Sequence, residues 1–284
     1  MLVCVGHVTW DQTPAGPVLG GSVAYAAATA RKLGWQAAVI TAAGPDFEAA
    51  RDLPGVEVVC RPSAATTRFR NSYERDGTRS QAVTARAEDV DLSLLPEPLR
   101  SPAALFLGPV IGELPVPPAQ GFTAGVVGAG AQGWLRETDA EGRVRAREWP
   151  APERDLAGVH ALFLSQHDLP PGGRTARDFL AMVPMVVLTR GWEGLTLLTP
   201  DASYPVPSLP RREVDPTGAG DVFAAAFLLR YHEVEDPLEA CAFAACAASC
   251  AVEGVGTLTL GDREEIRRRL VLRQRLIEEG DWEE

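Results

Sequence analysis

Several short apolar runs in this chain lack the polar alternation of a strand that has one face in water. The runs are LVCVG (2–6), AAVIT (37–41), ALFLG (104–108), AGVVG (124–128), ALFLS (161–165), MVVLT (185–189) and LTLLT (195–199). Strands that are buried on both faces have this composition, because helices cover both sides of a parallel sheet. Helical stretches at 21–34 and 173–183 lie between the runs. The pattern predicts a three-layer α/β/α fold around a central, mostly parallel sheet.

The last quarter of the chain departs from this alternation. Three successive helices are predicted there, over 218–231, 237–252 and 262–279. The 284 residues, of which 46% are hydrophobic, allow a sizeable core, and no interdomain linker divides them. We therefore expect a single domain over 1–284.

One segment, 66–87, is too polar for the central sheet. It is β-prone and centred on Asp76-Gly77, and Asp-Gly between alternating strands is a strong hairpin signal. Such a hairpin is either a surface decoration or a lid over the carboxyl edge of the sheet, where open α/β sheets bind ligands. We expect a small lid that consists mainly of 66–87, with a minor contribution from 12–19.

Charge and composition narrow the class of partner. The formal charge of −11 argues against nucleic acid or an anionic membrane. No apolar run approaches the roughly 20 residues that cross a bilayer, and the first residues indicate a strand and not a signal peptide. An odd count of five cysteines suits reduced thiols. We expect a cytoplasmic protein with no membrane or nucleic-acid partner.

The chain contains one lysine, Lys32, in the segment ARKLG. A Walker A loop requires Gly-Lys-Ser/Thr, which this sequence lacks. Any phosphate chemistry must therefore use backbone N–H groups, helix dipoles, arginine and metal.

A first glycine motif lies in VVGAGAQGWL (126–135), where Gly128, Gly130 and Gly133 form G-x-G-x-x-G after a predicted strand. A dinucleotide-binding unit would continue with a helix, a second strand and an acidic ribose ligand about 20 residues later. The residues that follow indicate a polar hairpin and a loop instead. A nicotinamide-dependent dehydrogenase is therefore a poorly supported alternative.

A second glycine motif, DPTGAGD (215–221), places an acid directly after Gly218-Ala219-Gly220. Successive N–H groups in such a loop, followed by a helix N-terminus, can bind an anion such as a transferring phosphoryl group. Asp221 could accept a proton from a substrate hydroxyl beside that anion. Alternatively, Asp221 only caps the helix and the glycines serve the turn. Spacing alone leaves both interpretations open.

These residues resemble the signatures of a known family. DPTGAGDVFAAAF (215–227) resembles the second signature of the PfkB, or ribokinase-like, family of carbohydrate and nucleoside kinases, and LGGSVAYAAATARKLG (19–34) resembles the first. Further matches occur in the family's order at 5–11, 187–197 and 240–257, so the resemblance covers most of the chain. It implies a ribokinase-like fold and an ATP- and Mg²⁺-dependent kinase that phosphorylates a hydroxyl of a small sugar or polyol.

The resemblance also implies a role for each matching residue. Asp221 would be the catalytic base, and the amides of Gly218, Ala219 and Gly220 would form the anion hole. The acceptor would contact Asp11, Gly20, Gly21, Tyr25, Gln132 and Arg136. The ATP would contact Thr189, Gly191, Gly194, Asp215 and Thr217, and Mg²⁺ would contact Asp168.

Some positions depart from the family pattern. Tyr25 replaces an asparagine that binds sugar hydroxyls, and Ser165 replaces the asparagine of the metal-associated motif N-x-x-E, in which Asp168 replaces the glutamate. Pro216 replaces the threonine beside a monovalent-cation site of some relatives, which leaves that cation open.

Gln132 and Arg136 resemble a segment of a divergent branch that includes plant myo-inositol kinases, which also has an aromatic residue at the place of Tyr25. An inositol-like polyol is therefore the specific expectation for the acceptor. A nucleoside kinase of the same fold and a non-catalytic sugar sensor are the alternatives. Both a monomer and a homodimer are compatible with the sequence.

Overall fold

A computed structural model describes residues 1–13, 16–73 and 79–279. The strands are β1 (Leu2–Val5), β2 (Thr9–Thr13), β3 (Gly16–Gly20), β4 (Ala37–Ala43), β5 (Glu57–Pro62), β6 (Thr67–Tyr73), β7 (Arg79–Ala85), β8 (Ala104–Leu107), β9 (Val126–Gly130), β10 (Arg136–Thr138), β11 (Val144–Ala146), β12 (Ala161–Ser165), β13 (Met185–Thr189), β14 (Leu195–Leu198) and β15 (Ser203–Val206). The α-helices are α1 (Ser22–Lys32), α2 (Ala49–Asp52), α3 (Pro152–Asp155), α4 (Ala219–Val234), α5 (Pro237–Ala251) and α6 (Arg263–Glu279).

The central sheet has nine strands in the order β15-β14-β13-β12-β9-β8-β1-β4-β5. The seven strands from β13 to β5 are parallel to their neighbours, and β14 and β15 are antiparallel. The predicted central, mostly parallel sheet is confirmed, and every predicted apolar run supplies one of its strands. The edge strands β5 and β15 were not predicted, because β5 is half-buried, β15 is largely exposed, and neither has a long apolar run.

Long helices cover one face of the sheet. Helices α1, α4 and α5 pack on the side chains of Cys4, Phe106 and Phe163, and α6 lies outside α5. The ring of Phe227 on α4 meets Phe163 edge-on, with 5.3 Å between ring centroids. No helix within the described ranges is both long and apolar enough to cross a membrane.

Short helical turns and loops cover the opposite face. Trp134 and Trp149 stack there with 4.8 Å between ring centroids, and Phe179 packs beside them. The helix predicted over 173–183 is wrong, since the structure has a 3₁₀ segment over Ala176–Ala181. Pro184 lies three residues after this segment, and the residue before a proline is driven away from the helical region, so the chain cannot extend into a longer helix.

The polar segment forms a hairpin of β6 and β7, as predicted, but within a four-stranded sheet of order β3-β2-β6-β7. The segment 9–20 supplies two of these strands, so its share is larger than the minor contribution expected from 12–19. The pairing of β2 with β6 is parallel and joins Thr9 to Thr67, a long-range contact that leaves no local pattern. The Asp76-Gly77 turn lies outside the described residues.

A buried polar network ties this small sheet to the central one. His7, which follows β1, is fully buried and hydrogen-bonds Thr67 of β6, with 2.9 Å between Nδ1 and Oγ1. The buried Glu113 carboxylate accepts hydrogen bonds from the backbone N–H groups of His7 and Val110. Buried polar groups that are satisfied in this way resist rearrangement. The network fixes the small sheet and the loop after β8 against the carboxyl end of β1.

Candidate active site

A cleft of ≈ 680 Å³ opens where the parallel strands end. Its lining comes from residues directly after β8, β9, β12 and β13, together with the first turn of α4 and the small sheet. Of the predicted site residues, Gly20 and Asp215 do not line the cleft, and all the others do. The topology thus brings together residues from distant parts of the chain at the edge where open α/β sheets bind ligands.

Asp221 lies in the first turn of α4 with its carboxylate in the cleft. Burial raises the pKa of Asp221 to about 7, and the nearby carboxylates of Asp168 and Asp11 act in the same direction. A hydrogen bond from Ser22 and the charge of Arg136 oppose this rise in pKa. A base with a pKa near neutrality combines a substantial ionised fraction with a strong tendency to accept a proton.

This raised pKa predicts a dependence of stability on pH. The unfolded Asp221 ionises near pH 4 and the folded one near pH 7, so its contribution is fully present below about pH 3.9 and is lost as pH rises to about 7. Asp221→Asn cannot ionise, and its melting temperature relative to the wild type should therefore rise between pH 4 and pH 7 and level off above pH 8. Thermal unfolding of both proteins across this range tests the prediction, and a constant difference would contradict it.

The loop before α4 has a conformation suited to glycine. Gly218 is left-handed, with φ of 78°, and a Cβ there would lie 2.4 Å from the ring of Tyr25. Among the described residues, none accepts a hydrogen bond from the N–H of Gly218 or of Gly220. These two donors line the cleft beside the positive end of the α4 dipole.

The structure corrects one member of the expected anion hole. The N–H of Ala219 donates to the carbonyl oxygen of Pro216, 3.2 Å away. Its donor is therefore engaged within the turn, and two amides, not three, are available to an anion in this conformation. Spacing could not reveal this, because the hydrogen bond depends on the fold of the turn.

Tyr25 forms the floor beneath this loop. Its side chain is only 2% exposed, and its ring lies against Gly218. Burial raises the pKa of the Tyr25 hydroxyl, with further contributions from Asp11, Asp215 and Asp221, so the group stays protonated at neutral pH. The residue therefore presents an aromatic wall to the cleft.

Asp11 lies on β2 across the cleft and accepts a hydrogen bond from the Thr9 hydroxyl at 3.3 Å. A Cβ at Gly20 on the adjacent strand would lie 2.5 Å from an Asp11 carboxylate oxygen. Gly21, with φ of 90°, precedes α1 and leads the chain from β3 into that helix. Gly20 thus lets the Asp11 carboxylate lie close to the backbone before α1, and Gly21 lets the backbone pass close to His7.

The G-x-G-x-x-G motif does not form a dinucleotide-binding turn. Gly128 and Gly130 lie within β9, and Gly133 packs on the backbone of Pro109. The β10–β11 hairpin follows, as predicted, and not the helix N-terminus that a pyrophosphate would require. The dehydrogenase alternative therefore loses its structural basis.

This segment instead delivers Gln132 and Arg136 to the cleft. Arg136 donates to the Gln81 side-chain oxygen on β7 at 3.2 Å, and Gln132 donates to Asp168 at 3.5 Å. Gln81 and Ser22 are cleft residues that the sequence interpretation missed. Ser22 could have been noticed as a polar residue at the start of a helix after Gly-Gly, whereas Gln81 carries no such signal.

Thr189, Gly191 and Gly194 line the other end of the cleft, after β13. A 3₁₀ turn over Gly191–Glu193 connects that strand to β14. Asp215 does not line the cleft, and its carboxylate accepts a hydrogen bond from the N–H of Thr217 at 2.9 Å. Its observed role is to stabilise the turn that precedes α4.

Asp168, which lines the cleft, could contact a metal there. One of its oxygens accepts a hydrogen bond from the Ser165 N–H at 2.8 Å. Within the described ranges, no cluster of three or more His, Cys, Asp or Glu residues could hold a metal alone. Mg²⁺ usually combines one or two carboxylates with water and substrate phosphates, so a carboxylate such as Asp168 in the cleft fits that ion.

The chain is similar to known kinases. A sequence model described as pfkB family carbohydrate kinase matches residues 145–262. A nucleoside kinase of Methanocaldococcus jannaschii is 34% identical over 104 residues, which cover 34% of each chain. The chain thus matches about a third of the length of that relative. A cytidine kinase of Thermococcus kodakarensis is 25% identical over 84% of this chain and 91% of that one.

The fold is also similar to that of solved structures. A pyrophosphate-dependent myo-inositol kinase superimposes with a TM-score of 0.77 and 23% identity, covering 96% of this chain and 99% of that one. Both signatures, the family model and the architecture agree. Residues 145–262 of this chain thus match the PfkB carbohydrate kinase family, and the chain has a ribokinase-like fold.

Proposed function

We propose that the protein transfers the terminal phosphoryl group of ATP to a hydroxyl of a small sugar or polyol. One observation carries this proposal: the Asp221 carboxylate and the unpaired N–H groups of Gly218 and Gly220 line the same cleft as Asp11. A base and an anion hole that share one cavity are what phosphoryl transfer requires of a protein.

In this mechanism Asp221 removes the proton of the attacking hydroxyl. The two free amides and the α4 dipole stabilise the charge on the phosphoryl group as it is transferred. Asp11 accepts hydrogen bonds from other hydroxyls of the acceptor and orients it toward Asp221. Catalysis then consists of positioning and electrostatic stabilisation.

Asp168 would hold Mg²⁺ together with the phosphates of the donor. The ion would neutralise charge on those phosphates when bound. Its place beside Asp221 supports this assignment, because the charge of Asp168 already raises the pKa of Asp221. A monovalent cation near Asp215 has no such support, since that carboxylate is engaged by the Thr217 N–H.

An inositol-like polyol is the acceptor that we propose. Asp11, Gln81, Gln132 and Arg136 all line the cleft, and together they offer both hydrogen-bond acceptors and donors. A ring that carries hydroxyls on several sides suits such a set. The fold similarity to a myo-inositol kinase is consistent with this acceptor.

The small sheet would serve as a lid over this acceptor. Phe69 and Gln81 reach the cleft from β6 and β7, so the sheet already forms one wall of the site. Closure of such a lid would exclude water from the reacting atoms.

A nucleoside kinase is the second candidate. Tyr25, Phe69 and Phe106 line the cleft and could pack against a base. The similarity to nucleoside and cytidine kinases favours it as well. A sugar sensor, in contrast, would have no use for a base with a pKa near 7.

A substrate panel tests these alternatives. Release of ADP from ATP and Mg²⁺ should be measured with myo-inositol, ribose, fructose 6-phosphate, ketodeoxygluconate, adenosine and cytidine. Turnover with a polyol or sugar supports the proposal, and turnover with nucleosides alone supports the second candidate. Acceptor-induced thermal stabilisation without ADP release would support a sensor. Asp221→Asn serves as the control for contaminating kinase.

A further inference from the structure

Trp192 is a large apolar side chain that the mechanism above does not use. It lies in the turn after β13 and is 75% exposed. It lines the end of the cleft that Thr189, Gly191 and Gly194 also line, which we call the donor end. An exposed indole of this size on a cleft wall leaves much apolar surface in contact with water.

The backbone that carries Trp192 is held in place. The Arg190 N–H donates to the Gly194 carbonyl oxygen at 2.8 Å, closing the turn. The Ser208 hydroxyl donates to the Trp192 carbonyl oxygen, which joins the turn to the segment after β15. The ring therefore projects from a fixed turn at the rim of the cleft. A ligand that stacks on it costs the protein little conformational entropy, because the backbone of the turn is already ordered.

The walls at this end of the cleft are apolar and partly formed by small residues. The apolar lining residues are Leu195, Leu209, Ala245, Ala248 and Val252. Alanines on α5 leave room for a flat ring, which gains by leaving water for such a surface. This composition suits a nucleobase and not a compact, highly charged group.

The positive charges at this end are already compensated. The Arg190 guanidinium lies 3.9 Å from Glu193 and hydrogen-bonds Thr196, and the Arg211 guanidinium lies 3.3 Å from Glu253. Inorganic pyrophosphate has no base and must bind through charge and hydrogen bonds alone, so it would have to compete with these carboxylates for the arginines. A nucleotide can instead place its base on this surface, so that its phosphates are held at the Gly218 loop.

We propose that Trp192 stacks on the base of the donor nucleotide and selects a nucleoside triphosphate over inorganic pyrophosphate. This inference rests on the proposed function, because it assigns the donor of the same transfer. Stacking of a base on an aromatic side chain contributes about 1–3 kcal/mol, or roughly tenfold or more in affinity.

Calorimetric titration of the full chain with ADP and, separately, with pyrophosphate tests this inference, each with Mg²⁺. Trp192→Ala should weaken ADP binding about tenfold or more, whereas Trp192→Phe, which keeps a stacking ring, should weaken it less than about threefold. Val271→Ala removes another exposed apolar side chain, on α6 and outside the cleft, and should not change either affinity.

The comparison of ADP with pyrophosphate distinguishes base stacking from a merely structural role of Trp192. Only stacking predicts that Trp192→Ala weakens ADP binding and leaves pyrophosphate binding unchanged. If Trp192 only maintains the turn, Trp192→Ala will weaken ADP and pyrophosphate equally, which would overturn the inference. Unchanged ADP affinity in Trp192→Ala, or tighter binding of pyrophosphate than of ADP by the wild type, would overturn it as well. Binding of neither ligand by the wild type would remove the proposed kinase function together with the inference.

Discussion

Asp221→Asn is expected to lower kcat by at least about 10²-fold, which is the low end for the loss of a positioned general base. The amide cannot accept the acceptor's proton, but it keeps the shape of the side chain in the first turn of α4. Binding of ADP should remain nearly unchanged, because the donor contacts the cleft through other groups. Steady-state kinetics with the preferred acceptor, together with ADP titration, measure both effects.

Asp236→Asn is the matched control for this substitution. Asp236 also begins a helix, where it accepts hydrogen bonds from the N–H groups of Leu238 and Glu239, but it lies outside the cleft. Asparagine caps helices as well as aspartate does, so the control should keep wild-type turnover. Turnover of Asp221→Asn within a few-fold of the wild type would remove Asp221 from the role of base.

Gly218→Ala is expected to reduce kcat by about 10²-fold, a loss comparable to that of one anion-hole donor, and also to destabilise the fold. A side chain in the left-handed conformation costs about 1–2 kcal/mol. The added methyl group would also overlap the Tyr25 ring, so either the loop or the ring must move. Movement of the loop would turn the free amides away from the transferring phosphoryl group.

Gly220→Ala is the control for the loss of stability in Gly218→Ala, because it tests whether any added side chain in this loop destabilises the fold. A Cβ at Gly220 meets no atom within 4 Å, and the residue already lies in α4. Its unfolding free energy should stay the same or rise by about 0.4–1 kcal/mol, because alanine restricts the unfolded chain. Denaturant unfolding measures this difference. Wild-type stability and turnover in Gly218→Ala would contradict the proposed geometry of the loop.

Much of the architecture could be predicted because its signals are local. Runs such as ALFLS at Ala161–Ser165 are apolar on both faces, and only a sheet covered on both sides buries them fully. The helix start after Gly218-Ala219-Gly220 was also evident, since glycines followed by an apolar run mark a loop that leads into a buried helix. The failures, such as the helix over 173–183, arose where a nearby proline cut an apparently helical pattern short.

The small sheet shows where local signals end. Alternation predicted the hairpin of β6 and β7, but the pairing of β2 with β6 depends on contacts between Thr9 and Thr67. Likewise, Gln81 of β7 lines the cleft together with residues that follow β9 and β12, which are far from it in sequence. Neither the β2–β6 pairing nor the position of Gln81 in the cleft produces a periodic pattern or a motif spacing in the sequence.

By itself, the sequence determined the buried parallel strands, the glycine loop that opens α4 and the acid that follows this loop. These features depend on residues within a few positions of one another, where sterics and apolar periodicity act directly. Only the tertiary structure decided which amides stay free, how far the pKa of Asp221 rises and which residues meet in the cleft. Chain segments that are distant in sequence bury these groups, supply the neighbouring charges and provide the hydrogen-bond partners. These effects therefore exist only after the chain has folded.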